Sequence, residues 1–134
     1  MFDLIMKLIK TFIQELEKEL PKLDFSFNEN DLIVSIHSNN EEFGNIEIED
    51  DYEELIVEVG NFTHWHAGCY EEGLSEQEMF LRVSESVIDF IKDLINDEIV
   101  LWGSHKNGGG FYYPEHEKRT SKEQQWVWSG KYET

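Results

Sequence analysis

The sequence predicts an α+β fold: a single two-layer domain spanning residues 1–134, in which two helices pack on one face of a mainly antiparallel sheet. Two stretches repeat apolar residues every three or four positions, which is typical of amphipathic helices. Several shorter stretches alternate apolar and polar residues, as strands with one buried face do. A chain of 134 residues has the usual size of one domain, and 40% hydrophobic residues are enough to build one core.

The first helix is predicted over residues 2–20. Its apolar residues recur at spacings of three and four, so they share one side of a helix. They are Phe2, Ile5, Ile9, Phe12, Leu16 and Leu20. Pro21 ends this helix, because proline lacks an amide hydrogen and disfavours helical angles at the residue before it.

Four strands are predicted next, as an antiparallel meander. Residues 23–27, 32–37 and 46–49 alternate apolar and polar side chains and are joined by short connectors rich in turn-forming residues. The fourth strand, residues 54–66, is longer, and Gly60 in its middle predicts a bulge or a bend.

The second helix is predicted to begin with a capping box. Ser75 and Glu78 are spaced so that each side chain satisfies a free backbone amide at the helix start, and the helical pattern continues to Ile95. Three further strands are predicted, at residues 98–104, 111–113 and 125–129. The glycines at 108–110 predict a flexible hairpin loop. The expected order of elements is therefore α-β-β-β-β-α-β-β-β.

The overall charge excludes several classes of protein. The chain has 11 Lys and Arg against 29 Asp and Glu, a formal net charge of −18 at pH 7. Such a field repels phosphate backbones, so we do not expect nucleic-acid binding. No cleavable signal pattern is present and charged residues interrupt every apolar stretch, so we expect neither export nor a membrane span. A single cysteine, Cys69, allows no internal disulfide, which is typical of the cytoplasm.

One long stretch of the chain carries only negative charge. The 59 residues between Lys22 and Arg82 contain 16 acids and no lysine or arginine. Many of these acids alternate with apolar residues of the third and fourth strands, which predicts an acidic sheet face that binds a basic protein partner. The predicted contact residues are Glu47, Glu49, Asp50, Asp51, Glu54 and Glu58. The alternative is that these acids only keep the protein soluble and protect exposed strands.

The densest group of reactive side chains lies just before the second predicted helix. His64 and His66 are two residues apart on a predicted strand, so both project from the same face. Together with Cys69 they would supply three zinc ligands, and Glu71 or His105 would supply a fourth. In the alternative arrangement these rings and the thiol pack at the end of the sheet and need no metal.

No catalytic group is predicted. The sequence has no paired acid and base, no nucleophile with its base and no cofactor fingerprint. The acidic neighbours of Cys69 disfavour a nucleophilic thiolate. We therefore predict a non-enzymatic protein that needs neither metal nor cofactor. The alternative is a metal-binding protein or metal-dependent enzyme that uses His64, His66 and Cys69.

Two tryptophans lie near the carboxyl end of the chain. Trp126 and Trp128 are two residues apart on a predicted strand and therefore share one face. If buried, they complete the core. If exposed beside the acidic face, they would anchor a protein interface, where tryptophan is over-represented.

The combined pattern resembles a known kind of protein. A small acidic α+β chain with Asn-Phe-Thr-His at residues 61–64, followed by a helix and a tryptophan-bearing strand, is similar to the small immunity proteins of bacterial toxin systems and to similar uncharacterised bacterial proteins. The resemblance covers most of the chain. It implies a tight inhibitor of a basic toxin, often a nuclease, whose active site the acidic surface would block. It assigns no functional residue.

Overall fold

Eleven helices and strands make up the described part of the chain in this computed structural model, which covers residues 7–38, 40–41, 44–61, 63–104, 108–117 and 124–132. In chain order they are α1 (Lys7–Glu19), β1 (Ser26–Asn28), β2 (Ile33–Ile36), β3 (Ile46–Asp51), β4 (Glu54–Val59), β5 (Thr63–Ala67), α2 (Glu76–Ile95), β6 (Val100–Ser104), β7 (Gly108–Tyr112), β8 (Gln125–Val127) and β9 (Gly130–Lys131). The predicted α+β class is confirmed, because every strand pair is antiparallel and the helices pack against a sheet.

The five strands before α2 form one antiparallel sheet in the order β1-β2-β3-β4-β5. A row of apolar residues crosses it: Val34 lies opposite Ile48, Ile48 opposite Val57, and Val57 opposite Trp65. Residues two positions along each strand add further rows on the same side, as the predicted alternation requires. This inner face is the side that the helices cover.

The stretch predicted as one long fourth strand, residues 54–66, is two strands. Gly60 has a φ of +67°, a left-handed conformation that glycine adopts at little steric cost, and the chain reverses there instead of bending. The Gly60 amide donates a hydrogen bond to the Asn45 carbonyl oxygen at 2.9 Å, which ties this turn to the connection between β2 and β3. The prediction of a four-stranded meander was therefore wrong by one strand.

The four strands after α2 form a second antiparallel sheet, in the order β7-β6-β8-β9. The glycines at 108–110 belong to β7, so the prediction that they lie in a hairpin loop was wrong. Trp102 on β6 lies opposite Gly110, and a Cβ at Gly110 would be 3.1 Å from the indole ring. The absence of a side chain at this position leaves room for the ring, which is why glycine suits the strand.

The two helices pack against each other on the inner face of the five-stranded sheet. The predicted capping box is confirmed: the Glu78 amide donates to Ser75 Oγ at 3.2 Å, and the Ser75 amide donates to the Glu78 carboxylate at 3.4 Å. Lys92 Nζ lies 3.1 Å from Glu19 Oε2, so the carboxyl ends of the helices lie side by side. Within the described ranges, neither helix is long and apolar enough to cross a membrane.

One cluster of buried side chains includes residues from both helices and both sheets. Toward the second sheet, the contacts are between aromatic rings. The Phe90 ring of α2 lies with its centroid 5.3 Å from that of Trp65 and 5.0 Å from that of Phe111, both in edge-to-face geometry. Phe2 and Ile5, which complete the predicted apolar stripe of the first helix, lie outside the described residues.

Candidate functional site

The outer face of the five-stranded sheet, turned away from the helices, carries the acidic residues. Its carboxylates alternate along β3 and β4 with residues directed to the inner face, most of which are fully buried, so strand geometry alone directs the carboxylates outward. We call this surface the acidic face and define it by Glu47, Glu49, Asp51, Glu54 and Glu58. All five were among the contact residues predicted from the sequence.

Like charges face each other toward both ends of the β3–β4 pair on the acidic face. Glu47 lies directly opposite Glu58, and Asp51 lies opposite Glu54. The Ser35 hydroxyl donates to Glu47 Oε2 at 3.2 Å, but no lysine or arginine occurs between Lys22 and Arg82 to neutralise the strand pair. Like charges at opposite positions destabilise an antiparallel pair by roughly 0.2–1 kcal/mol. The opposed carboxylates therefore predict that the isolated protein holds this surface at a cost in stability.

The acidic face also presents apolar surface. Ile33, Glu49, Ile56 and His66 lie side by side across β2, β3, β4 and β5, and both isoleucines are half-buried. Their partly exposed side chains lie among the carboxylates. This combination of an apolar middle and charged surroundings is the usual composition of a protein-binding surface.

The two histidines of β5 lie at the edge of the acidic face, on the same side as predicted. His64 lies opposite Glu58, and His66 Nδ1 is 3.9 Å from Glu54 Oε1. The two imidazole centroids are 5.5 Å apart, and both side chains are exposed. The histidines therefore extend the polar surface and do not pack in the core.

Within the part of the chain that the structure describes, the ligands of the alternative zinc site are not brought together. Among the described residues, no group of three or more His, Cys, Asp and Glu side chains is arranged to hold a metal ion. Cys69 is half-buried against the core cluster, and Glu71 Oε1 is bonded to the Arg82 guanidinium at 3.1 Å. His105, the other predicted fourth ligand, lies outside the described residues. The packing interpretation of Cys69 agrees with its contacts.

Asp50 does not belong to the acidic face, contrary to the sequence prediction. It lies opposite Leu55, whose side chain is fully buried, and its carboxylate accepts hydrogen bonds from the Ile9 amide at 3.0 Å and the Tyr52 amide at 2.9 Å. Burial raises the pKa of Asp50, while the two backbone hydrogen bonds oppose this effect. Its role is to connect the β3–β4 turn to α1.

The tryptophans predicted as interface anchors lie elsewhere. Trp126 is 3% exposed and belongs to the core, so it is not accessible to a partner. Trp128 follows β8 in the turn, half-buried in an apolar groove with Leu20 and Ile95 at the carboxyl ends of the helices. Its carbonyl oxygen accepts a hydrogen bond from Asn40 Nδ2 at 3.3 Å. Neither ring is part of the acidic face.

Tyr52 and Tyr70 were not predicted as site residues. Among the described residues, they are the large apolar side chains that are exposed to solvent. Tyr52 is 80% exposed and Tyr70 is 74% exposed. Tyr52 lies in the β3–β4 turn, and the Tyr70 hydroxyl donates to Glu54 Oε2 at 2.5 Å, which raises the Tyr70 pKa. In the sequence, Tyr52 is the central residue of Asp-Asp-Tyr-Glu-Glu, at a turn between two strands. This acidic context was the available indication that the ring is exposed.

Comparison with known proteins identifies no relative: no family model, no curated protein and no solved structure matches this chain. The site is therefore characterised by its own geometry. That geometry is an exposed antiparallel sheet face with five carboxylates, two half-buried isoleucines and two exposed histidines.

Proposed function

We propose that this protein is a non-enzymatic binding module that captures a basic protein on its acidic face. One observation carries the proposal: Glu47 and Glu58 lie opposite each other on an outward sheet face, in a stretch of 59 residues without a lysine or arginine. A lysine or arginine from a partner, placed between these carboxylates, would relieve their repulsion and form charge-assisted hydrogen bonds.

Electrostatic steering supports the same partner chemistry. The net charge of −18 and the five carboxylates of the acidic face attract a cationic protein before contact and accelerate its association. Nucleic acid is disfavoured by the same field, since its phosphates are repelled. The partly exposed side chains of Ile33 and Ile56 add apolar contact area within the charged surface.

The biological form that we propose is an immunity protein, which inhibits a basic toxin in the cytoplasm. A nuclease toxin binds phosphates through basic side chains, and an acidic sheet face is complementary in charge to such an active site. The inhibitor needs no cofactor or metal for this role. Its partner is expected to be encoded by the adjacent gene.

The test measures association kinetics with the product of the adjacent gene, after co-purification of the two proteins. Reversing Glu47, Glu49 and Glu58 together to lysine is expected to lower the association rate about tenfold or more at low ionic strength. The dependence of the rate on salt should become weaker, because fewer attractive charges remain to be screened.

The control reverses three exposed acids on the two helices and after β7, Glu17, Glu85 and Glu117, and changes the net charge by the same amount. If the acidic face is the binding site, the control variant keeps most of the association rate. Equal losses in both variants would mean that only net charge matters. No association at low ionic strength would overturn the proposed function.

A further inference from the structure

Two exposed aromatic side chains lie at one end of the acidic face. Tyr52 is in the turn that joins β3 to β4, two residues before Glu54, and Tyr70 is hydrogen-bonded to that same Glu54. Their exposed fractions are 80% and 74%. Tyrosine is among the residues enriched at the energetic centres of protein interfaces, because its rigid ring gives a large contact area at a small entropic cost.

Tyr52 does not serve the fold. Its φ is +65°, a left-handed conformation in which asparagine or glycine is favoured and a bulky side chain is disfavoured. Its amide donates to Asp50 Oδ1 at 2.9 Å, a bond that any residue other than proline would make. The ring itself is mostly in solvent. The aromatic side chain is therefore an addition to a turn that would form at least as well without it.

Tyr70 is held in place by its surroundings, although it is exposed. Its hydroxyl donates to Glu54 Oε2, and its ring passes over Gly68, where a Cβ would lie 2.8 Å from the hydroxyl oxygen. Glu54 Oε1 is 3.9 Å from His66 Nδ1. The hydroxyl edge of an oriented ring thus lies against the Glu54 carboxylate, and the ring itself remains exposed to solvent.

We propose that Tyr52 and Tyr70 are the aromatic anchors of the acidic face and that, with Glu54, they hold an arginine side chain of the basic partner; this inference rests on the proposed function. Arginine fits this site better than lysine does. Its planar guanidinium stacks on an aromatic ring and donates to a carboxylate at the same time, whereas the lysine ammonium is a compact and strongly hydrated charge.

The test uses nona-arginine and nona-lysine as probes at low ionic strength, with dissociation constants from isothermal titration calorimetry. The intact protein should bind nona-arginine more tightly than nona-lysine. Tyr52→Asn and Tyr70→Ala should each weaken nona-arginine binding about threefold, and the double variant about tenfold, as expected for two exposed cation–π contacts. Tyr70→Phe keeps the ring and should retain binding better than Tyr70→Ala.

One property of the variants and two measurements keep the test specific. None of these substitutions changes the net charge, so general attraction to the peptides is retained. Tyr52→Asn should unfold at a temperature no lower than that of the parent protein, because asparagine tolerates the left-handed backbone. Tyr132→Ala removes a ring in the other sheet, next to β9, and should leave peptide binding unchanged.

The outcomes separate this inference from the proposed function. Suppose that the double tyrosine variant binds nona-arginine as well as the parent protein, while reversal of Glu47, Glu49 and Glu58 weakens binding. This result would overturn the proposal that the tyrosines are anchors, and the acidic face would remain the binding site. A loss in the tyrosine variant without a loss on charge reversal supports the anchors and contradicts the proposed function. Equal affinity for both peptides overturns the preference for arginine.

Discussion

At the scale of single residues, the direction of a side chain decides its role, and neighbouring acids of β3 take opposite roles. Glu49 lies on the acidic face, whereas Asp50 turns inward and accepts two backbone hydrogen bonds. The period of two along a strand separates them. The period was applied to Glu49 in the prediction, but Asp50 was included for its charge alone, and it lies on the opposite side of the strand.

Gly44 lies just before β3 in a backbone conformation that leaves no room for a side chain. Its φ is +94°, and an added Cβ would lie 2.6 Å from Asn61 Oδ1, the side chain that packs over it from the β4–β5 turn. Gly44→Ala should therefore lower the free energy of unfolding by about 1–3 kcal/mol, through backbone strain and displacement of Asn61. Urea unfolding at neutral pH measures the change.

Gly130→Ala is the matched control for this substitution. An added Cβ at Gly130 has no atom within 4 Å, and its φ lies outside the left-handed region. We expect a change within about 0.5 kcal/mol. Similar losses in the two variants would contradict the role assigned to the contact between Gly44 and Asn61.

At the scale of elements, α2 joins the two sheets and is fixed at both ends. The capping box closes its first turn, and beyond its last turn the Asp97 carboxylate accepts a hydrogen bond from the Ser129 amide at 3.0 Å. The Tyr113 hydroxyl, just after β7, donates to Asp93 Oδ2 on α2 at 3.0 Å. The second sheet is thus attached to α2 by polar contacts as well as by the contact between Phe90 and Phe111.

The bond between Tyr113 and Asp93 predicts a dependence of stability on alkaline pH. Burial, followed by the hydrogen bond to Asp93, raises the Tyr113 pKa from 10.0 to about 12. Between these values the unfolded chain has lost the phenolic proton and the folded chain retains it, so stability falls as pH rises from about 10 to about 12. Below about pH 10 the contribution of this group is fully present.

Tyr113→Phe tests this contact. At neutral pH the variant should be less stable by about 1 kcal/mol, the usual net value of such a hydrogen bond. Its disadvantage should shrink as pH rises from about 10, because only the parent protein carries the phenol. Urea unfolding across this range measures both proteins. A difference that stays constant with pH would mean that Tyr113 titrates in the folded protein as it does in the unfolded chain.

At the scale of the whole molecule, the charge balance opposes folding. The net charge is −18, and like charges lie directly opposite each other at Glu47 and Glu58. Salt screens such repulsion between exposed groups. We therefore expect the unfolding temperature to rise with sodium chloride at low concentrations, which calorimetry measures directly.

Glu58→Gln shows whether the acidic face is kept at the expense of stability. At low ionic strength the variant should be more stable by about 0.5 kcal/mol, and the gain should decrease as salt is added. Glu17→Gln removes the same charge from an exposed position on α1 and should gain less. If Glu58→Gln also weakens partner binding, stability and function oppose each other at this residue, which a merely solubilising surface does not predict.

The candidate site was only partly predictable from the sequence. Alternation along β3 and β4 correctly predicted one shared face for Glu47, Glu49, Glu54 and Glu58. Alternation along β5 correctly predicted the shared side of His64 and His66. The pattern left open whether Trp126 is buried or exposed, and the structure shows that it is buried; the exposed tyrosines were not predicted. The sequence alone does not show whether an aromatic residue is exposed, since exposure depends on which distant elements cover the residue.

The sequence by itself determined the local features: the apolar stripe of each helix, the capping box at Ser75 and Glu78, and the alternation of the strands. Each of these features depends on residues only a few positions apart, and so the local sequence pattern is enough to predict it. Only the tertiary structure decided that the strands divide into two sheets, that Gly60 reverses the chain, and that Tyr52 and Tyr70 stand in solvent beside Glu54. These features depend on contacts between segments that are far apart in the chain. A local periodicity in the sequence does not describe how such segments pack together.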